Sequence, residues 1–458
     1  MLRRPCGCTL DPMPVFVRKC SARSLLVVLI ATLTWAVGPA ARPASAFTGG
    51  VVELVGHGYG HGRGMGQWGA YGYSKSGWSS DQILLHFYRG VALSPVRNES
   101  IRVRIDTDDP HDTIVSSDPD GAGFTVNAGG SAVAERTGDR PYWRAAAVSG
   151  GYSIEWAASQ AGPWNPLTTV GGPVDFRPKL VSGQRKDMLQ LLMASGIVWV
   201  RGSLTAIALD QHRTINELPL EEYLRGAVPR ESPASWGNSG GQAALEAQAV
   251  AARSYTMALR NDKRSRNPYP GYDICSTTAC QVYIGRAIQD VNGFRDLEAV
   301  TTDQAIATTA GKIMTYAGAP ILAEYSSSTG GHSTAGSKPY LQAVPDEGDS
   351  ASPYHNWSAL VSVAAIQSAY PSIGSLQSVE VTSRNGFGEW GGRVIDMVLR
   401  GSGGSVTISG DTFRIKFGLR SNWFLVTASP SGGVGGYWLT AGDGGVFAFG
   451  QSKFFGSM

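Results

Sequence analysis

NELPLEEYLRGAVPRESPASWGNSGGQAALEAQAVAARSYTMALR, residues 216–260, is the stretch on which the reading of the fold turns. After Glu217-Leu218-Pro219, the residues Leu220, Tyr223, Leu224, Ala227 and Val228 recur at helical spacing, and Pro229 is expected to end that helix. A second helix is expected from Ser239, where Ser-Gly-Gly-Gln (239–242) has capping-box spacing, to about Arg260. Its many alanines allow close packing. The connecting loop, PRESPASWGNS, sets Glu231 between Pro229 and Pro233 in a constrained turn beside Trp236. A carboxylic acid so held, packed by two helices, would have its pKa raised by desolvation and could act as a general acid at neutral pH. By residue type alone a loop glutamate is more often solvated than catalytic.

Outward from these helices the periodicity changes. Toward the N-terminus, IRVRI (101–105) puts Ile101, Val103 and Ile105 on one face of a half-buried strand, and further short strands follow to about residue 210, broken by glycine and proline turns. Before them come a glycine-rich stretch, residues 52–72, and a helix-like run from Asp81 to Tyr88. Beyond residue 300 the chain returns to strands and glycine turns, as in GKIMTYAGAPILAEYSSSTGG and VIDMVLRGSGGSVTISGDTFRIKFG. Strands and helices that segregate in this way predict an α+β fold rather than alternating βαβ units. The last residues from Gly436 place two aromatic strand-like runs around a Gly-Asp-Gly-Gly turn, either a closing hairpin or one unit of an aromatic repeat.

The first 46 residues read as a signal peptide starting at Met1 or Met13. Arg3, Arg4, Arg18, Lys19 and Arg23 form a basic region, Leu25 to Val37 is mostly apolar, and Ala44-Ser45-Ala46 is an A-x-A cleavage site. That apolar run is shorter than the ~20 residues a bilayer span needs, and no other segment reaches that length, so the mature protein is expected to be secreted and wall-associated, with no membrane contact after cleavage. Removing residues 1–46 leaves 33 basic and 35 acidic residues, a net charge of −2 instead of +3. With no basic cluster longer than Lys263-Arg264-Ser265-Arg266, nucleic acid is excluded as a partner. Of five cysteines only Cys275 and Cys280 remain, and two cysteines in an oxidising compartment suggest one disulfide.

Several familiar patterns carry little. Gly64-Met65-Gly66-Gln67-Trp68-Gly69 fits GxGxxG without a following βαβ unit. His57 and His61 stand four apart in a segment too rich in glycine to share a helix face, and there is no HExxH. Ser326, Ser327, Ser328 and His332 lie close in sequence, but no GxSxG elbow holds a serine. Cys275 and Cys280 would need two more ligands to bind zinc, and none stands at standard spacing.

The segment from Asn216 to Pro233, then Trp236 and Ala243 to Tyr255, resembles the core of the SpoIID/LytB family, whose E-M-P-x-x-W and E-A-L-K-A-Q-A-V-A-A-R-T-Y patterns map onto it. Further likeness follows at Cys280-Gln281-Val282-Tyr283, at Ala323 to Gly331, at Pro339-Tyr340-Leu341 with Val344-Pro345-Asp346, and at Gly410-Asp411, Phe413-Arg414 and Gly418 to Ser421. The likeness covers roughly residues 195–428. In the family a G-H-G-V-G-M-S-Q-Y-G-A motif follows the end of the domain; here Gly60-His61-Gly62-Arg63-Gly64-Met65-Gly66-Gln67-Trp68-Gly69-Ala70 stands near the mature N-terminus, as if circularly permuted. Ala279 occupies the place where zinc-binding relatives carry a histidine, which favours a Cys275–Cys280 disulfide over a metal. Ser232, Ala243 and Glu246 also depart from the pattern, while the proposed acid is retained.

The resemblance implies a SpoIID-like domain at 195–428, with mixed strands around a helical core. Before it come the displaced motif segment at 47–97 and an inserted β-rich region at 98–194; an aromatic, repeat-like unit follows at 429–458. The family includes a peptidoglycan lytic transglycosylase and an enhancer of wall amidases, so the implied partners are peptidoglycan glycan strands and, in the enhancer reading, a cell-wall amidase. Glu231 takes the role of the single acid and base, which needs neither cofactor nor metal. His61, Gln67, Tyr325, Ser326, Ser327 and Thr329 are expected to hold sugar hydroxyls and N-acetyl groups, and Trp68 and Trp236 to stack on sugar faces. A third reading is a structural wall-binding module anchored by the C-terminal unit.

Overall fold

The computed structural model describes residues 50–108, 112–268 and 271–427, together with the backbone of the strands Gly436–Thr440 and Val446–Gly450. The expected signal peptide lies outside the described residues. No described helix is long and apolar enough to cross a membrane. Helices and several separate sheets are both present, so the α+β expectation holds.

Two large sheets come first. One has eight antiparallel strands, ordered 165–170, 151–157, 142–148, 113–117, 189–193, 196–200, 287–290 and 293–296. The other has seven, from 274–275 through 100–104, 212–219, 203–208, 174–178 and 124–128 to 131–135. Val115, Trp143, Ile154, Leu191 and Val198 from the first share one core with Ile101, Val103, Phe124, Phe176 and Leu204 from the second. The alternation read in IRVRI is the inward face of Ser100–Arg104. The expected boundary between residues 194 and 195 needs correction, because it falls at the tip of the hairpin pairing Leu189–Met193 with Gly196–Val200. A glycine turn reads locally as a break, yet here it joins neighbouring strands, and the same sheets recruit residues 274–296 from far along the chain.

Helices α1 (Gln67–Lys75) and α2 (Ser80–Phe87) precede those sheets, and α3 (Leu220–Glu231) and α4 (Gln242–Arg266) follow them. A full capping box of Ser79 and Gln82 starts α2. The expectation for α4 is corrected at both ends: it begins after Gly241 with no side-chain cap, and it runs to Arg266. Ser239 instead closes the preceding 3-10 turn, its Oγ donating to the carbonyls of Ser235 and Trp236. The alanines of α4 are explained by its setting between two cores. Ala249, Ala252 and Met257 face the β-sheet core, while Ala244, Leu245, Ala247, Val250 and Ala251 pack against α1, α2 and the strand Lys312–Tyr316. A helix buried on nearly all sides needs small apolar residues around its circumference. Helix α5 (Val300–Thr308) interrupts a region read as strands and turns.

A third core lies under residues 356–427, where Val52 and Leu54 of the strand Val51–His57 meet Val361, Met397, Phe413 and Phe424. That strand pairs antiparallel with Asn356–Ser362 on one side and Phe424–Thr427 on the other, so the start of the described chain is held between two of its last strands. Helices α6 (Val363–Ala369) and α7 (Gly410–Lys416) complete this part. The two C-terminal runs form strands that pair antiparallel, with Tyr437 opposite Phe449 in register.

Candidate functional site

Glu231 is the last residue of α3, which corrects its expected place in a loop. Pro229 does not end the helix; it stands close to the end, where it costs a single hydrogen bond, and Ser232 N–H donates to the Val228 carbonyl at 3.0 Å to carry the helix past it. The main-chain carbonyl of Glu231, an orphan at a helix C-terminus, accepts from Gln67 Nε2 at 2.9 Å. Gln67 also reaches Gln248 Oε1 at 3.3 Å, which accepts from Ser232 Oγ at 3.4 Å. The Glu231 side chain accepts at Oε1 from the Val282 N–H at 2.9 Å. Burial pushes the carboxyl pKa above the usual range, opposed by that single backbone donor.

The carboxyl faces a cavity of about 630 Å³. Its walls are the turn carrying Tyr59, His61 and Arg63, the loop carrying Cys280 and Val282, the segment from Glu324 to Ser327, and the side chains of Gln67, Tyr255 and Arg414. Gln281 Nε2 donates to the Tyr325 hydroxyl at 3.0 Å, and Gln281 Oε1 accepts from Tyr223 and Thr256, both at 2.9 Å. Burial, followed by the nearby Glu231 charge, holds Tyr325 well above the usual phenol range, so it stays a neutral donor. His61 is driven down to about 3, first by burial and then by Arg63, Arg393 and Arg414, and so stays neutral; its Nδ1 accepts from the Arg63 N–H at 3.0 Å. The second carboxylate on the wall, Glu324, is ion-paired with Arg63. The buried Ser326 Oγ has no hydrogen-bond partner among the described residues.

The N-terminal motif is built into this site by pairing with late segments of the chain. Met65–Gly66 runs parallel to Tyr325–Ser326, Tyr59 bridges Ser328, and Trp68 N–H donates to Ser327 O at 3.0 Å. Gly60 N–H donates to Arg420 O at 2.8 Å, and Ser421 Oγ to His57 O at 2.6 Å. Beneath the start of α1 lies the buried carboxyl of Asp346, whose Oδ2 accepts from Thr329 Oγ1 at 2.6 Å. A Cβ on Gly69 would stand 2.2 Å from Asp346 Oδ1. Gly69→Ala is therefore expected to cost about 1–3 kcal/mol of stability. Denaturant midpoints measure it, with Gly50→Ala, which meets open space, as control; equal midpoints for the two variants would refute the close approach.

The structure brings six of the expected residues together: Glu231, His61, Gln67, Tyr325, Ser326 and Ser327 line one cavity. Three others lie apart from it. Trp236 is buried, its ring 4.9 Å from that of Trp68 and stacked at 4.7 Å on Tyr71, so both tryptophans are occupied in aromatic packing beside α1. Thr329 is buried on Asp346 and Asp349 and holds the loop rather than facing the cavity. Cys275 and Cys280 form a disulfide with Cα atoms 5.5 Å apart, and Cys280 contributes to the cavity wall. Sequence reasoning assigns no role to Tyr59, Arg63, Tyr255, Glu324 or Arg414. Each lies within or beside a quoted motif, but only folding reveals that it shares a wall with Glu231.

A family model described as stage II sporulation protein, SpoIID, matches residues 209–316, a span that includes Glu231 and the disulfide. The amidase enhancer of Bacillus subtilis (strain 168) is 35% identical over 122 residues, 27% of this chain and 14% of that protein. Stage II sporulation protein D of the same strain is 30% identical over 174 residues, 35% of this chain and 49% of that protein. Its namesake from Bacillus amyloliquefaciens is 29% identical over 222 residues, 46% of this chain and 60% of that protein. The chain thus spans between a seventh and three fifths of the length of these relatives.

Proposed function

We propose, from the match of residues 209–316 to the SpoIID family model and the likeness to its curated relatives, that the chain is an exported cell-wall protein that cleaves peptidoglycan glycan strands as a lytic transglycosylase. The observation that carries this reading is a single available acid. Glu231 has its carboxyl pKa raised by burial at the wall of a cavity of about 630 Å³, whereas the neighbouring Glu324 is tied to Arg63. Hydrolytic glycosidases generally use two carboxyl groups, because a water or an enzyme nucleophile must be handled on the far face of the sugar. One carboxyl suffices when the substrate supplies its own nucleophile. Glu231 protonates the glycosidic oxygen as the C1–O bond of N-acetylmuramic acid breaks; its carboxylate then takes the proton of the C6 hydroxyl as O6 bonds to C1, giving a 1,6-anhydro end.

The Ser326 Oγ, which has no partner among the described residues, the neutral Tyr325 hydroxyl and the neutral His61 ring supply uncharged hydrogen-bonding groups suited to sugar hydroxyls and N-acetyl groups. The pairing of residues 51–66 with 324–328, 356–362 and 424–427 supports reading the N-terminal motif as a permuted part of the domain. Export is supported by the disulfide, which suits an oxidising compartment.

The test is to incubate residues 47–458 with purified peptidoglycan and with peptide-free glycan strands, reading soluble products by mass spectrometry. Anhydro-muramyl ends are expected; ordinary reducing ends, or no product from either substrate, would overturn the reading. A relative named amidase enhancer favours a second reading, in which the same groove binds glycan or an amidase without cleaving. Under that reading Glu231→Gln still stimulates an added wall amidase.

A further inference from the structure

With Trp68 and Trp236 both packed beside α1, the candidate site lacks the aromatic platforms expected from the sequence. An exposed aromatic ring does reach the cavity, that of Tyr59. It sits between Gly58 and Gly60, both in the left-handed region at φ 75° and 102°, so the chain presents it on a sharp turn. That turn is fixed from behind, since Tyr59 N–H donates to Ser328 O at 2.8 Å and Ser328 N–H to Tyr59 O at 3.0 Å. The ring is steadied by the edge of Tyr354, with centroids 5.1 Å apart, and by the Arg420 guanidinium at 5.7 Å, which also lies 4.7 Å from the Tyr354 ring. Tyr59 nonetheless keeps 42% of its surface exposed.

Its position gives that exposure a use. Tyr59 and Arg414 belong to the wall of the Glu231 cavity and also to that of a second cavity of about 510 Å³, which Trp357, Leu419 and Arg420 also line. The two cavities adjoin at these side chains, and the second holds no carboxylate among its lining residues. A rigid, partly exposed ring at the junction of two clefts offers a flat apolar face to one pyranose ring while its hydroxyl and the nearby guanidinium meet polar substituents.

We infer that Tyr59 is the stacking platform of a second saccharide subsite, in the cavity between Tyr59 and Trp357, which continues the groove away from Glu231. The inference rests on the glycan-binding reading above and makes the site's ligand an oligomer longer than the disaccharide that spans the cleaved bond. It is tested by calorimetric titration of the Glu231→Gln protein, whose turnover is expected to be slowed, with peptide-free glycan oligomers of two, four and six sugars.

Affinity is expected to rise with length. Adding Tyr59→Ala should weaken binding of the longer oligomers roughly fivefold to tenfold more than binding of the disaccharide, while Tyr59→Phe keeps the full length dependence. Equal affinities with and without the ring, or a loss as large for the disaccharide as for the hexamer, would overturn the second subsite while leaving glycan binding intact. If no oligomer of any length binds a protein whose melting temperature is unchanged, the glycan-binding reading itself fails, and the platform with it.

Discussion

Glu231→Gln is expected to lower the rate of anhydro-end formation by a factor of about 10²–10⁴, the range a positioned general acid contributes. The fold should not suffer. The introduced amide can still accept the Val282 N–H at its side-chain oxygen, and the main-chain bond from Gln67 does not involve the side chain. The sign of the stability change follows from linkage. Burial raises the carboxyl pKa in the folded protein, so between the ordinary and the raised value the folded state holds more protons than the unfolded one, and this group's contribution to stability falls as pH increases through that window. Glutamine removes that loss, so at neutral pH the variant should melt at the same temperature as wild type or slightly higher. Activity runs the same way in pH: the acid form must donate first, so the rate should decline as pH rises through the raised Glu231 value. A variant that retains wild-type cleavage, or an activity that climbs across that window, would remove Glu231 from the acid role.

The parts of the fold legible in the sequence are those set by local periodicity. The helical spacing of Leu220, Tyr223 and Val228, the alternation in IRVRI and the two aromatic runs at the C-terminus each depend on residues a few positions apart, and each forms the expected element. What stays hidden depends on partners far along the chain. Val51–His57 is a strand because Asn356–Ser362 and Phe424–Thr427 flank it, and in sequence it merges with the glycine-rich loop that follows. The site shows the same division. Glu231 is singled out only by the motif resemblance, and Glu324 and Arg63, 261 positions apart, become a pair only in three dimensions. The aromatic residues mislead for the opposite reason, since exposed and buried tryptophans look alike in sequence and Tyr59 carries no pattern of its own.

The largest loss of stability is expected at Arg253, a residue that the motif resemblance covers without explaining. It is fully buried on α4, and its guanidinium has one partner set on each side. Nε and Nη2 donate to the two oxygens of Glu221 at 2.9 and 2.8 Å; Nη1 donates to Lys312 O at 3.0 Å and Nη2 to Ile306 O at 3.4 Å. One side chain thus ties the start of α3 to α4, to α5 and to the strand that begins at Lys312. Arg253→Met keeps the apolar stem but leaves the Glu221 carboxylate without its cation and removes the guanidinium donor from the carbonyls of Lys312 and Ile306. Breaking a buried pair from one side typically costs about 3–5 kcal/mol. Denaturant unfolding should show this as a lower midpoint with an unchanged slope. Removing the stranded charge as well, in Glu221→Gln with Arg253→Met, should recover part of the loss, because the penalty lies in the uncompensated carboxylate. Since Glu231 closes the helix that Glu221 opens, the single variant is also expected to lose activity at temperatures where wild type is stable, and to regain it on cooling. A midpoint within about 1 kcal/mol of wild type would mean that water replaces the guanidinium at little cost, and that the Arg253 of the motif serves something other than the junction of these helices.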